Sequence, residues 1–195
     1  MTPKKIEAMQ NWPTPANVKQ LRGFLGLIGY YRKFIKGYSL LSKLLADLLK
    51  KNAFSWSDKA EQAFLKLKEA MTTAPVLALP NLQDQFVIET DASGSGIGAV
   101  LMQQGQPIAY VSKPLAPRHQ GLSTYEKELL VLVYVVEKWK PYVIGSPFLV
   151  KIDHFSLKYI LEQKISTPFQ VKQLLKLLGL DYTIIYKKRE GEHHC

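Results

Sequence analysis

The sequence predicts an α/β fold: a five-stranded mixed sheet with flanking helices, preceded by a small helical domain. Three observations carry this. Residues 86–112 hold three short β-rich runs divided by Ser-Gly-Ser-Gly and Gly-Gln, the mark of a strand meander. Residues 123–139 open with Ser-Thr-Tyr-Glu and are apolar nearly all round from Leu129 to Val136, which predicts a capped helix buried on more than one side. Residues 14–73 instead show apolar residues at helical spacing among many cations.

Composition sets the outer limits. The chain has 195 residues, 47% of them hydrophobic and 22% charged, enough for one or two units with real cores. No apolar run reaches the length of a membrane span, and MTPKKIEAMQ lacks the apolar region of a secretion signal. A single cysteine, Cys195, leaves no pair for an internal disulfide. A reducing compartment is therefore expected, intracellular and either cytoplasmic or nuclear, without secretion or membrane attachment. The net charge is +10. Residues 1–84 hold 13 Lys/Arg against 6 Asp/Glu, and residues 85–195 hold 13 against 10. The basic excess of the first part suits a polyanionic partner.

In chain order, residues 1–13 show no clear period and are a lead-in segment. Thr14-Pro15 offers a cap and an N1 proline for a first helix, with Val18, Leu21, Leu25 and Ile28 at helical spacing. Gly23, Gly26 and Gly29 are costly inside a helix and predict close packing, or a break near Gly29. Tyr30 to Lys36 interleaves aromatics with cations. That pattern suits base stacking and phosphate pairing, and equally a helix with an aromatic core side and a solvated basic side. A second helix is expected over Leu40–Lys50. A third, capped by Ser57 or Asp58, carries the stripe Ala60, Phe64, Leu67 and Met71.

Residues 74–84, with Pro75, Pro80 and Asn81, read as a linker. The first strand then starts at Phe86 and is expected to leave the sheet at Asp91. The second covers Ile97–Met102 and the third Ile108–Ser112, and Pro114–Gly121 is loop. The capped helix runs to about Trp139, before Pro141. It carries Glu128, in its first turn, on the face of Leu132 and Val135. Phe148–Ile152 is a fourth strand, followed at once by Asp153 and His154. Thr167-Pro168 caps a helix reaching about Leu178, and Tyr182–Tyr186 is a fifth strand. The second unit thus reads β-β-β-α-β-α-α-β.

Asp91, Glu128 and Asp153 form the candidate constellation: two acids at strand ends and one near a helix start. Each has an ordinary reading, since Asp-Ala-Ser-Gly suits a turn and a carboxylate near a helix N-terminus is favoured by the dipole. Gathered at one sheet edge, however, three carboxylates would repel unless cations neutralised them. Hard oxygen ligands suit Mg²⁺ or Mn²⁺. Two such ions about 3.5–4 Å apart can activate a water and stabilise the departing oxygen of a phosphodiester.

FVIETDASGSGIGAVLMQ, PIAYVSKPLAPRHQGLSTYEKELLVLVYVVEKW, YVIGSPFLVKIDHFSLKYIL and LGLDYTIIYK together resemble the RNase H domain of a gypsy-type long-terminal-repeat retrotransposon polyprotein. NWPTPANVKQLRGFLGLIGYYRKFI and FSWSDKAEQAFLKLKEAMTTAPVLALP resemble the thumb-like segment that joins the polymerase palm to that domain. The resemblance implies an end of palm over 1–13, a thumb-like helical domain over 14–73, a linker over 74–84, an RNase H-like domain over 85–188 and a disordered tail over 189–195. It implies two Mg²⁺ or Mn²⁺ ions and cleavage of the RNA strand of RNA–DNA hybrids. Palm, fingers and integrase are the implied partners within a parent polyprotein. It implies four acids, of which Asp91, Glu128 and Asp153 match three: Asp91 bridging both ions, Glu128 on the leaving-group side and Asp153 on the water side. Residues 189–195 run through the register of the fourth without supplying it, so impaired cleavage is expected. No aromatic-x-Asp-Asp sequence is present, so DNA synthesis is not expected of these residues. A non-catalytic nucleic-acid-binding or assembly module, or an inert retroelement remnant, is the alternative.

Overall fold

A computed structural model describes residues 3–73, 77–93, 96–152 and 167–186, with the backbone alone for 3–5 and 91–93. The first part is helical: α1 (Pro3–Gln10), α2 (Val18–Tyr30), a 3₁₀ turn (Arg32–Phe34), α3 (Tyr38–Asp47) and α4 (Asp58–Thr72). Helix α1 was not legible as a period. At eight residues it is too short to show one, and it is held by packing on α4, with Met9 buried and Lys68 Nζ donating to the Trp12 carbonyl nearby (2.9 Å).

Helix α2 starts later than the Thr14-Pro15 pair suggests. Asn17 caps it by accepting from the Gln20 N–H (3.0 Å), and Gln20 Oε1 accepts from the Ala16 N–H (2.7 Å), while the Thr14 hydroxyl is drawn away to Glu61. The helix ends at Tyr30, one residue past the expected break. Close packing at Gly23 and Gly26 is not observed: a β-carbon at either would meet nothing within 4 Å. In the 30–36 segment Tyr31 and Ile35 are buried, while Arg32, Lys33 and Lys36 face solvent. Ser57 caps α4, and the stripe Ala60, Phe64, Leu67 and Met71 is buried as expected. It packs with Leu21, Phe24, Ile28 and Leu45 into one hydrophobic cluster.

The second part holds β1 (Val87–Ser93), β2 (Gly96–Gln103), β3 (Gln106–Pro114), a single-turn α5 (Pro117–Gln120) within the expected loop, α6 (Thr124–Val143), β4 (Phe148–Ile152), α7 (Pro168–Leu174), a 3₁₀ turn (Leu175–Leu177) and β5 (Tyr182–Tyr186). The sheet is mixed, in the order β3-β2-β1-β4-β5. Strands β1–β2 and β2–β3 pair antiparallel, and β1–β4 and β4–β5 pair parallel. Helix α6 lies against β1 and β2 and buries Leu129, Leu132, Val135 and Val136 with Ile88, Leu101 and Val150 in a second cluster. It runs through Pro141 to Val143, beyond the expected stop. A proline in the last turn forfeits one intrahelical bond, and burial of Trp139 and Val143 offsets that.

The segment before the sheet is stitched to it rather than free. The buried Gln103 side chain donates to the carbonyls of Asn81 (2.7 Å) and Asp84 (2.8 Å) and accepts from the Asn81 N–H (2.9 Å). The Ala78 N–H donates to the Pro107 carbonyl (2.8 Å). The helix expected between β4 and α7, and the tail over 189–195 with His193, His194 and Cys195, lie outside the described residues.

Candidate active site

Asp91 lies in β1, opposite Gly98 of β2. The strand does not leave the sheet there, as its turn-forming neighbours suggested. The antiparallel ladder continues to Ser93 opposite Gly96, because pairing with β2 satisfies backbone groups that a loop would leave to solvent. Against β4 the pairing covers Val87 to Glu89, so Asp91 stands two residues beyond it, on the side where β4 runs out at Ile152. Thr90 at this edge donates its hydroxyl to the Lys151 carbonyl (3.4 Å). Asp153, the next residue in the chain after Ile152, lies outside the described residues.

Glu128 is only 6% exposed, among Leu129, Leu132 and Val135, none of which is exposed at all. Its place is in the second turn rather than the first. The first-turn acid is Glu126, already engaged in a capping box: its Oε2 accepts from the Ser123 N–H (3.1 Å) and hydroxyl (2.8 Å), and Ser123 Oγ accepts from the Glu126 N–H (3.4 Å). The helix terminus therefore accounts for Glu126 and not for Glu128. A carboxylate this buried, on a helix packed against the strand of Asp91, is the feature most at odds with simple core formation.

One polar group near this edge was not legible in the sequence. Gln170, the third residue of α7, is buried and donates from Nε2 to the Tyr125 hydroxyl, one turn before Glu128 on α6. Thr167 caps the same turn, accepting from the Gln170 N–H (3.2 Å). The cap predicted the helix, but only tertiary packing could bury a glutamine. Farther away, burial pushes the phenols of Tyr38, Tyr110 and Tyr182 above their usual range. Among the described residues no three His, Cys, Asp or Glu side chains gather closely enough to hold a metal, a set from which the Asp91 and Asp153 side chains are excluded. The donors that the three acids offer are all carboxylate oxygens, which fit a hard divalent cation by chemistry.

A second surface lies on α2. Lys19, Arg22, Gly23, Gly26, Leu27 and Tyr30 are exposed along it, with Tyr30 at 75%. Gly23 and Gly26 leave open space between the longer side chains of this strip.

Residues 56–150 match the family described as the RNase H-like domain found in reverse transcriptase. The retrovirus-related Pol polyprotein from transposon 297 of Drosophila melanogaster is 40% identical over 160 residues, 81% of this chain and 15% of that protein. The corresponding polyprotein from transposon 412 of the same organism is 33% identical over 195 residues, 97% of this chain and 16% of that protein. The chain thus spans about a sixth of the length of these relatives. Its fold is similar to that of a foamy viral protease-reverse transcriptase solved in complex with RNA/DNA hybrid, with a TM-score of 0.82 and 22% identity over 98% of this chain and 28% of that one.

Proposed function

Because the chain belongs to the family of retrotransposon Pol polyproteins, with the RNase H-like domain found in reverse transcriptase, we propose that it hydrolyses the RNA strand of RNA–DNA hybrids. The observation that carries this reading is the burial of Glu128 on α6, packed against the strand that holds Asp91. Asp91, Glu128 and Asp153 are the proposed site, and they would hold Mg²⁺ or Mn²⁺. The metal would supply charge to make water a nucleophile at neutral pH and to neutralise the leaving oxygen. In the reaction a water oxygen bonds to phosphorus, the bond from phosphorus to the leaving sugar oxygen breaks, and a proton ends on that oxygen.

The chain's own contribution is placement. Sheet pairing holds the backbone of Asp91 rigid, and apolar packing around Glu128 limits its rotamers and excludes water on one side. Asp91, Glu128 and Asp153 match three of the four acids that the resemblance implies. The division into a helical unit over 14–73 and a sheet unit over 85–188, joined by 74–84, belongs to the same proposal, and the two separate hydrophobic clusters support it.

The test is cleavage of a labelled RNA–DNA hybrid with added Mg²⁺ or Mn²⁺, comparing the parent chain with Asp91→Asn. Cleavage by the parent and none by the variant is the expected result. Equal cleavage by both would sink the assignment. A second reading, duplex binding without chemistry, is favoured by the exposed strip of α2 that carries Lys19, Arg22 and Tyr30 beside two glycines. It predicts hybrid binding that falls steeply with salt and is indifferent to Asp91→Asn.

A further inference from the structure

Strand β3 is an edge of the sheet, where unpaired backbone groups ordinarily need cover. The helical unit supplies that cover: α3 and the 3₁₀ turn Arg32–Phe34 both pack on β3. Two contacts define the joint. The Ser39 N–H donates to Ser112 Oγ of β3 (2.8 Å) across 73 residues of sequence. Leu40, beside it in the first turn of α3, rests on Gly96, where an added β-carbon would lie 3.0 Å from Leu40 Cδ2 and 3.3 Å from the Lys113 carbonyl oxygen. Leu40 is 44% exposed and stands outside both hydrophobic clusters, so this contact joins the units without belonging to either core.

The place of contact matters. Gly96 opens β2 and faces Ser93, while Gly98, two residues on, faces Asp91. The helical unit therefore rests on the end of the β1–β2 pair that carries the first proposed catalytic acid. We infer that Leu40, Gly96 and the Ser39–Ser112 hydrogen bond form a joint that holds the helical unit at one angle to the sheet, and that these positioning residues decide where along a hybrid the strand is cut. The part about cutting rests on the proposed hydrolysis; the part about the angle does not. A duplex lying on α2 would approach Asp91 at a fixed offset only while the joint is closed. Because the Leu40–Gly96 contact and the Ser39–Ser112 bond lie outside both hydrophobic clusters, substitutions there should loosen the joint without touching either core.

Two variants test this. Leu40→Ser with Ser112→Ala removes the apolar contact and the acceptor. Gly96→Ala instead pushes a methyl group into Leu40 and the Lys113 carbonyl, and so stresses the joint from the other side. In a Cys195→Ser background, dyes on Lys66→Cys and Lys138→Cys report the angle between the units by single-molecule energy transfer. The parent is expected to give one narrow distribution and the double variant one roughly twofold wider. End-labelled hybrid with Mg²⁺ reports the cut positions, expected to be confined to a few adjacent nucleotides in the parent and spread in both variants. An unchanged energy-transfer distribution in both variants would overturn the joint. A widened distribution with unchanged cut positions would overturn its role in cutting. A widened distribution with no cleavage even by the parent would uphold the joint and instead remove the hydrolytic reading.

Discussion

Replacing Gly23 and Gly26 of α2 by alanine separates folding from binding. Both glycines are interior to a 13-residue helix, and neither β-carbon would meet another atom within 4 Å. Alanine is favoured over glycine in a helix interior by about 1 kcal/mol, so with no clash to subtract the double variant gains about 2 kcal/mol. For a chain of this size, about 2–4 °C per kcal/mol translates this into a melting temperature about 4–8 °C higher. The same two methyl groups stand on the exposed strip with Lys19, Arg22 and Tyr30, where they would hold a duplex off the helix. Hybrid affinity is therefore expected to fall about tenfold, or about 1.4 kcal/mol, with an unchanged salt slope because no cation is lost. Calorimetry and fluorescence anisotropy across a salt series measure the two effects. A lower melting temperature would show that the glycines serve the fold after all. Higher stability with unaltered affinity would remove α2 from the binding surface.

Glu128→Gln keeps the shape of the side chain and removes a buried charge. Cleavage should be lost while stability stays within about 1 kcal/mol of the parent's, because the amide keeps the size of the side chain and most of its hydrogen-bonding capacity. A clear fall in denaturation midpoint would mark Glu128 as structural instead. Phe64→Ala empties a site where the ring lies 4.5 Å from that of Phe24 and 5.9 Å from that of Trp56, and should cost about 3–5 kcal/mol. If the two hydrophobic clusters are separate cooperative units, amide signals of α2–α4 will melt first and those of the sheet will persist. One shared transition would argue for a single unit. Asp47 sits with its Oδ1 2.7 Å from Lys50 Nζ, and that hydrogen bond and charge hold its carboxyl below the usual range. A depressed carboxyl stabilises the fold above its ordinary pKa and ceases to do so as pH falls through the folded value. An NMR titration of Asp47 should therefore move up in Lys50→Gln, and no movement would refute the pairing.

Local rules determined much of this protein from the sequence alone. The stripe of α4 and its Ser57 cap, the Ser123–Glu126 capping box, and the extents of β4 and β5 follow from spacing and end chemistry, which act over a few residues. The family resemblance rests likewise on short runs such as those around Asp91 and Glu128. What failed were judgements that need a neighbour. Thr14 lost the cap of α2 because Glu61, 47 residues away, takes its hydroxyl and Asn17 caps instead. The first strand outran its turn residues because β2 was there to pair with it, and Pro141 was kept inside α6 by the burial around it. The depth of Glu128, the burial of Gln170 against Tyr125, and the seating of Leu40 on Gly96 were decided only by the tertiary structure. Each depends on which surfaces meet, and a pattern of period two or three and six-tenths says which face of an element is apolar but not what will lie against it.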